Sequence, residues 1–213
     1  MPSSSILSGI KGIIQSKQFV VVFGLLAAIF SLATYTATLA EQREEFASLS
    51  TLGSDMKSAG YFPNDERTIH QGDKMEWQIR IHNGMDNAEY FSVRIKLLNS
   101  TQIIPNDTLN QPSPETQILE LKHMVTKNST WTVPFEWNIK QADREQDYVI
   151  IREVTVNGKD ISNLNVRNLN GQNFKVVLEL WRYDLDANDF VFAWTSGHDT
   201  RSVWNQIWFN VKA

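Results

Sequence analysis

Cysteine is absent from this 213-residue sequence. Its absence excludes disulfides, thiol nucleophiles, iron–sulfur clusters, type-1 copper, Cys-ligated zinc and the lipid attachment of bacterial lipoproteins. The sequence also lacks a Gly-rich phosphate loop, a Gly-x-Ser-x-Gly motif and a His-Glu-x-x-His motif. Motifs therefore assign no catalytic residue and no cofactor, and we predict a protein that is not an enzyme.

Patterns that would bind a metal are equally sparse. No two of the four histidines share a helical spacing or one predicted strand face, although a folded chain could still bring two together. These histidines are His70, His82, His123 and His198. The segment that starts at Asp184 resembles the first half of an EF-hand loop, but Asp189 stands where that loop needs glycine and Thr195 where it needs glutamate. We predict no metal site and a solvated hairpin tip here, with an adventitious calcium site as the alternative.

The charge is acidic and unevenly distributed. Two of the 20 basic residues and none of the 24 acidic residues precede residue 41, so the remainder carries a net charge of −6. An acidic surface does not attract nucleic acid or anionic lipid headgroups, and we exclude both as partners of this part.

One long apolar run interrupts this otherwise polar chain. Residues 19–40 read FVVVFGLLAAIFSLATYTATLA and contain no charged side chain. At about 1.5 Å per residue, 22 helical residues span roughly 33 Å, enough to cross a bilayer core of about 30 Å. Lys11 and Lys17 precede the run, and Glu41, Glu44 and Glu45 follow it. Basic residues stay in the cytoplasm, so we predict a single-pass cell-membrane anchor with a cytoplasmic N-terminus and an extracytoplasmic C-terminal domain.

Two other fates of the apolar run remain open. Residues 38–40 could form a signal-peptidase site, although the run exceeds the usual length of a signal core. Prepilin-type processing after Gly12 is the other, although four polar residues, 15–18, lie between that position and the apolar run. In a retained anchor, small residues on one face permit close packing against another helix, and the alternative is an anchor that faces lipid there. The small residues of that face are Gly24, Ala27, Ala28 and Ser31.

Beyond the anchor, the apolar period changes. Residues 41–59 carry apolar side chains at helical spacing and predict a helical stalk. From residue 60 onward, apolar and polar residues alternate, as in residues 75–82, MEWQIRIH. Pro134 lies within one such run, so that strand should be at an edge or bulged. Asn157-Gly158 predicts a type I′ hairpin turn. The order predicted is a cytoplasmic segment (1–18), a transmembrane helix (19–40), a stalk (41–59) and an all-β domain (60–213).

Seven to nine short strands separated by turns predict an antiparallel, immunoglobulin-like β-sandwich. Three Asn-x-Ser/Thr sequons lie in its predicted loops and are candidates for N-glycosylation. They begin at Asn99, Asn106 and Asn128.

Seven tryptophans are present, and core packing accounts for most of them. Trp204 and Trp208 alternate out of phase with the apolar residues of the last strand, and Trp181 does the same on the strand before it. These three side chains predict a tryptophan face outside the core, either a protein interface or a platform for stacking sugars.

Several short segments of the domain resemble a family of uncharacterised archaeal membrane proteins with an extracytoplasmic Ig-like β-sandwich. The N-terminal ones are residues 61–63 (YFP), 71–74 (QGDK), 77–84 (WQIRIHNG) and 90–95 (YFSVRI). The C-terminal ones are residues 178–183 (LELWRY), 190–194 (FVFAW) and 207–211 (IWFNV). The resemblance covers residues 60–213, supplies no catalytic residue and implies an archaeal cell-surface setting, where sequons would carry glycans.

These features predict a non-catalytic subunit. Its helix would pack among other membrane subunits while the sandwich braces or caps a larger membrane complex, with archaeal ammonia monooxygenase as one candidate host. The alternative is a cell-envelope carbohydrate-binding or adhesion module that stacks sugars on Trp181, Trp204 and Trp208. A third possibility, a metal-dependent enzyme, requires two histidines and a carboxylate around one ion.

Overall fold

The computed structural model describes residues 17–40, 45–196 and 199–213. The chain divides into two units, Met1–Glu44 and Glu45–Ala213. In the first unit, helix α1 covers Lys17–Ala40, so the predicted span lies wholly inside one helix. The second unit consists of two β-sheets, which confirms the predicted all-β sandwich.

Helix α1 is long and apolar enough to cross a membrane from Gln18 to Thr36, and this stretch is not buried in the rest of the chain. Its hydroxyl groups bond to the helix backbone: Ser31 Oγ donates to the Ala27 carbonyl at 2.8 Å, and Thr36 Oγ1 donates to the Ala33 carbonyl at 3.0 Å. Polar side chains that are satisfied in this way are compatible with an apolar environment.

One sheet has six strands in the described residues, and all of its pairs are antiparallel. Its strands are β1 (Ala47–Leu52), β3 (Met75–Asn83), β6 (Thr130–Glu145), β7 (Tyr148–Val156), β8 (Lys159–Ile161) and β9 (Val166–Leu169). Along the sheet the order is β1-β3-β6-β7-β8, and β9 also pairs with β7.

The other sheet has seven strands in the described residues. They are β2 (Thr68–His70), β4 (Glu89–Leu98), β5 (Leu119–Val125), β10 (Phe174–Asp184), β11 (Asp189–Val191), β12 (Ala193–Ser196) and β13 (Asp199–Lys212). The order is β12-β13-β10-β4-β5, with β11 on β10 and β2 on β13. The β2–β13 pair is parallel, whereas the other pairs of this sheet are antiparallel.

The core lies between the two sheets and contains a cluster of aromatic rings. Trp77 is fully buried on β3, and its ring centroid lies 5.3 Å from that of Trp137 on β6. Phe209 on β13 contacts the same Trp137 ring at 5.2 Å. The indole N–H of Trp77 donates to the Tyr61 carbonyl at 2.6 Å, so the buried donor is satisfied. The apolar residues predicted to alternate along residues 75–81 are therefore the buried face of β3, which packs in this core.

Two local predictions are confirmed in detail. Asn157 and Gly158 have φ values of 45° and 77°, as a type I′ turn between β7 and β8 requires. Pro134 pairs with Gln78 of β3, while β7 pairs with β6 only from Trp137 onward. The proline thus lies where its strand has one neighbour, and the strand is irregular at residues 139–142.

The helical stalk predicted for residues 41–59 is wrong where the structure describes it. Residues 47–52 form β1, in which Leu49 and Thr51 pair with Ile81 and Ile79 of β3. The apolar spacing that suggested a helix is short enough to fit a strand as well, and pairing with the core strand β3 decides between them. The strand count was also too low, because 13 strands are present in the described residues, several of only three or four residues.

Candidate functional site: the covered face of the seven-stranded sheet

A long connection folds over the outer face of the seven-stranded sheet. It comprises residues 99–118, between β4 and β5, and is called the 99–118 loop here. Irregular connections of this length inside a compact domain are uncommon and are usually functional or disordered. This one is held to the sheet at Ser113, Asp107 and Gln102, each through a hydrogen bond to a strand side chain.

At one end of the covered face, the loop closes over a buried ion pair. Lys96 on β4 and Glu179 on β10 have side chains that are 5% and 0% exposed, and Lys96 Nζ lies 2.9 Å from Glu179 Oε2. Lys96 Nζ also donates to the Ser113 carbonyl at 2.6 Å, and the Ser113 amide donates to Glu179 Oε1 at 2.8 Å. The Trp181 indole N–H donates to Glu179 Oε2 at 3.1 Å. These residues form the closed end of the covered face.

Extra hydrogen bonds are what allow such a pair to be buried. Moving two charges out of water costs several kcal/mol per ion, and the attraction between them offsets this only when the remaining donors and acceptors are satisfied. Glu179 accepts from the ammonium, one backbone amide and one indole, so both of its oxygens are used. The closed end is therefore a fixed attachment point for the 99–118 loop.

At the other end, a second buried lysine has no such partner. Lys175 on β10 is 3% exposed, and its Nζ donates to the Gln102 carbonyl at 3.3 Å. The same Nζ lies 4.8 Å from the ring centroid of Trp208, its cross-strand neighbour on β13. Within the described ranges, no carboxylate lies at ion-pair distance from it. Burial lowers the pKa of the Lys175 ammonium below its usual value, because the charged form loses hydration.

Lys175 and Trp208 line a cleft of about 1040 Å³ beneath the loop. The loop contributes apolar residues such as Ile103 and Pro105 and polar ones such as Asn106 and Gln111. Apolar walls with a few convergent polar groups are typical of ligand sites. Lys175, Trp208 and this part of the loop form the open end of the covered face.

The three tryptophans of the predicted face all lie on this outer surface, and all three are half-buried. The guanidinium carbon of Arg94 stands 3.7 Å from the Trp181 ring centroid. The Trp204 indole N–H donates to the carboxylate of Asp107 in the loop. Trp208 borders the cleft, and among the three it is the one that lines that cavity. The structure thus separates Trp208, which borders the cleft, from Trp181 and Trp204, which do not line it.

The sequon asparagines lie outside the strands. Asn106 and Asn128 are exposed, Asn106 at the rim of the cleft and Asn128 in the turn between β5 and β6. Asn99 is half-buried, and its Oδ1 accepts from the Thr101 and Gln102 amides. Their glycosylation stays a prediction.

The helix-packing candidates lie on α1, where every described side chain from 18 to 36 is exposed. Gly24, Ala27, Ala28 and Ser31 fall on one side of the helix at spacings of three and four residues. A Cβ built on Gly24 meets nothing within 4 Å, so the chain itself gives no steric reason for a glycine there.

The described histidines are separate from one another. His70 contacts Asp73 at 3.5 Å, His82 Nδ1 lies 3.1 Å from Thr130 Oγ1, and His123 stacks on Trp131 at 4.8 Å. His198 lies outside the described residues. Within residues 17–40, 45–196 and 199–213, no cluster of three potential metal ligands is present. At the Asp184 turn, Oδ1 of that residue accepts the Asp186 and Ala187 amides.

Sequence reasoning missed the residues that organise the covered face. Lys96, Lys175 and Glu179 alternate with core residues along β4 and β10, and that pattern is typical of a solvated strand face. The available signal was the length of the segment between β4 and β5, with its three prolines, because a long loop needs a surface to pack on.

Comparison with known proteins adds little. The sequence matches no protein-family model and no curated protein. Among solved structures, a beta-glucosidase from Listeria innocua matches with a TM-score of 0.38 at 12% identity, over 78% of this chain and 16% of the enzyme. A mutant of that beta-glucosidase in complex with laminaribiose gives the same TM-score at 11% identity, over 79% and 16%. This chain thus spans under a fifth of those enzymes, and likeness at this level supports no conclusion about function.

Proposed function

We propose that this protein is a non-catalytic, membrane-anchored subunit whose extracytoplasmic sandwich braces or caps a larger membrane complex. The observation that carries the proposal is helix α1, which has an apolar surface exposed from residue 18 to residue 36. Helices in a bilayer associate where small residues allow their backbones to approach. A side chain at position 24 would meet nothing within its own chain. A neighbouring helix packed closely at that position would be a steric reason for glycine there.

The packing of the domain suits a bracing role. Its two sheets share one hydrophobic core, and the 99–118 loop is attached to the sheet by the Lys96–Glu179 pair. The topology we propose, with the N-terminus in the cytoplasm and the domain outside, places all three sequons on the external side. The host complex is a membrane assembly such as an archaeal membrane enzyme, with ammonia monooxygenase as one candidate.

The test is isolation from native membranes in mild detergent, followed by a native gel and identification of the subunits that migrate with the protein. We expect stoichiometric co-migration with other membrane proteins. The variant Gly24→Leu should weaken it, whereas Ala33→Leu, on the opposite side of α1, should leave it intact. Migration of the native protein alone, near its mass of 24.4 kDa, would refute the proposal.

The second candidate function is binding of cell-envelope carbohydrate, and the open end of the covered face favours it. A half-buried tryptophan beside a cleft with side-chain amides offers a stacking surface and hydrogen-bond partners for sugar hydroxyls. Trp208→Ala should reduce co-sedimentation of the protein with insoluble envelope polysaccharide. Trp131→Ala, which removes a half-buried tryptophan from the other sheet, should not. Equal binding by both variants would rule out the cleft as the sugar site.

A further inference from the structure

The cleft at the open end contains a feature that neutral sugar binding does not need. Lys175 is 3% exposed, yet among the described residues its ammonium has one hydrogen-bond acceptor, a backbone carbonyl 3.3 Å away. The same Nζ also lies 4.8 Å from the centroid of the Trp208 ring. A buried cation without an anionic partner is costly, and proteins seldom keep one without a role.

The closed end shows that this fold can neutralise a lysine in the same setting. Lys96 lies on the neighbouring strand β4, directly opposite Val177 of β10. Val177 is two residues after Lys175, so the two lysines are close neighbours on the same face of the sheet. It contacts Glu179 at 2.9 Å and donates to Ser113. Lys175 has no equivalent acid within the part of the chain that the structure describes. The positive charge at the cleft is therefore left for an anion supplied from outside the described chain.

We propose that the cleft binds a saccharide that carries a carboxylate, such as a uronic acid residue, with the sugar ring against Trp208 and the carboxylate paired to Lys175. This inference rests on the second function above, sugar binding at the cleft, and specifies its ligand. Its failure can be separated from the failure of that function by comparing an acidic sugar with its neutral ester.

The other groups of the cleft fit this ligand class. A tryptophan ring stacks on the C–H face of a sugar, and an ammonium–carboxylate hydrogen bond is stronger than one between neutral groups. Asn106 and Gln111 provide amides for hydroxyl groups. Asp107 also lines the cleft, and its carboxylate accepts from Trp204. A negative charge at this position repels an anion in proportion to its charge, so a doubly charged phosphate is disfavoured more than a single carboxylate.

The size of the cleft agrees with more than one sugar unit. Its volume of about 1040 Å³ lies at the upper end of small-molecule sites. Asn106 at the rim is itself a sequon asparagine, so a glycan attached there would reach the same cleft. Binding measurements therefore need protein made in a host without N-glycosylation.

The experiment is calorimetric titration of the full chain in lipid nanodiscs, because sugar-headed detergents would compete for the cleft. The probes are a short oligogalacturonate and its methyl ester, which differ in the charge of the carboxyl group and in one methyl group per sugar. We expect the acid to bind roughly 10-fold tighter than the ester. Lys175→Met should reduce the affinity for the acid to that for the ester.

Two further variants test whether the preference for the acidic probe depends on the Lys175 charge in particular and whether binding needs the Trp208 ring. Lys122→Met removes a lysine from the outer side of the same sheet, where Lys122 pairs with Glu120, and should leave the preference unchanged. Trp208→Ala should abolish binding of both probes. Equal affinity for acid and ester would overturn the role of Lys175 while sugar binding stands. If neither probe binds, both the acidic-saccharide inference and the proposed sugar binding at the cleft are overturned.

Discussion

The two ends of the covered face place the same residue type in opposite circumstances. Lys96 and Lys175 lie on adjacent strands under one loop, and both are nearly inaccessible to solvent, at 4% and 3% exposure. Lys96 has a carboxylate at 2.9 Å, whereas Lys175 has a backbone carbonyl and an aromatic ring. The first arrangement attaches the loop. The second gives the ammonium one hydrogen bond to the loop, at the Gln102 carbonyl, and no counter-ion among the described residues.

The contrast also separates two energetic roles. A satisfied buried pair is strongly destabilised when one partner is removed, because the other charge stays buried alone. When a buried charge has no counter-ion, replacing it with an apolar side chain of similar length removes no such attraction. The protein should therefore not lose a comparable amount of stability. The same substitution, lysine to methionine, should therefore have opposite effects on stability at the two ends.

The largest effect is expected at the closed end. Glu179→Gln removes the negative charge but keeps the shape, so Lys96 is left without its counter-ion. We expect the free energy of unfolding to fall by about 3–5 kcal/mol, measured by urea titration with tryptophan fluorescence. Glu76→Gln is the control, because Glu76 pairs with Lys74 at the surface and its loss should cost less than about 1 kcal/mol. Similar losses for the two variants would contradict the role of burial.

Removing both charges of the closed end should be milder than removing one. In the double variant Lys96→Met/Glu179→Gln, no buried charge remains at the closed end, so we expect it to be more stable than Glu179→Gln alone by about 1–3 kcal/mol. Lys96→Met alone should be destabilised like Glu179→Gln, since it leaves the carboxylate unpaired. A full double-mutant cycle measures this coupling. Additive losses would mean that the two side chains do not stabilise each other.

Replacing the other lysine tests the comparison directly. Lys175→Met should change the free energy of unfolding by no more than about 1 kcal/mol, and in the stabilising direction, because the desolvation cost of the ammonium disappears. The measurement is the same urea titration. A loss as large as that of Lys96→Met would show that Lys175 has a structural partner and that the two ends are alike.

The fold was more predictable than this face. Alternation around Trp77, the apolar run of α1 and the Asn157-Gly158 turn are local signals, and the structure agrees with each. Lys175 was missed because alternation assigns a side chain to the outer surface of a sheet but does not say what covers that surface. The 99–118 loop has no periodicity, and its position depends on contacts with β10 and β13, far along the chain. The stalk failed for a related reason, since pairing with β3 outweighed local spacing.

The smallest effect concerns pH. Burial lowers the pKa of Lys175 from the ordinary value of 10.5, so the folded state loses this proton at a lower pH than the unfolded state. Between the lowered pKa and 10.5, the unfolded chain binds more protons, and the contribution of Lys175 to stability rises with pH. Lys74 and Lys140, whose pKa values are raised by hydrogen bonds to acidic side chains, act in the opposite direction in both proteins.

The informative quantity is therefore the difference between the native protein and Lys175→Met. The stability advantage of the variant should be present at neutral pH and should shrink as the pH rises through this alkaline window. Urea titrations of both proteins across that range measure the change. A difference that stays constant with pH would mean that Lys175 is as well solvated in the folded state as in the unfolded chain, and the distinction between the two ends would then rest on geometry alone.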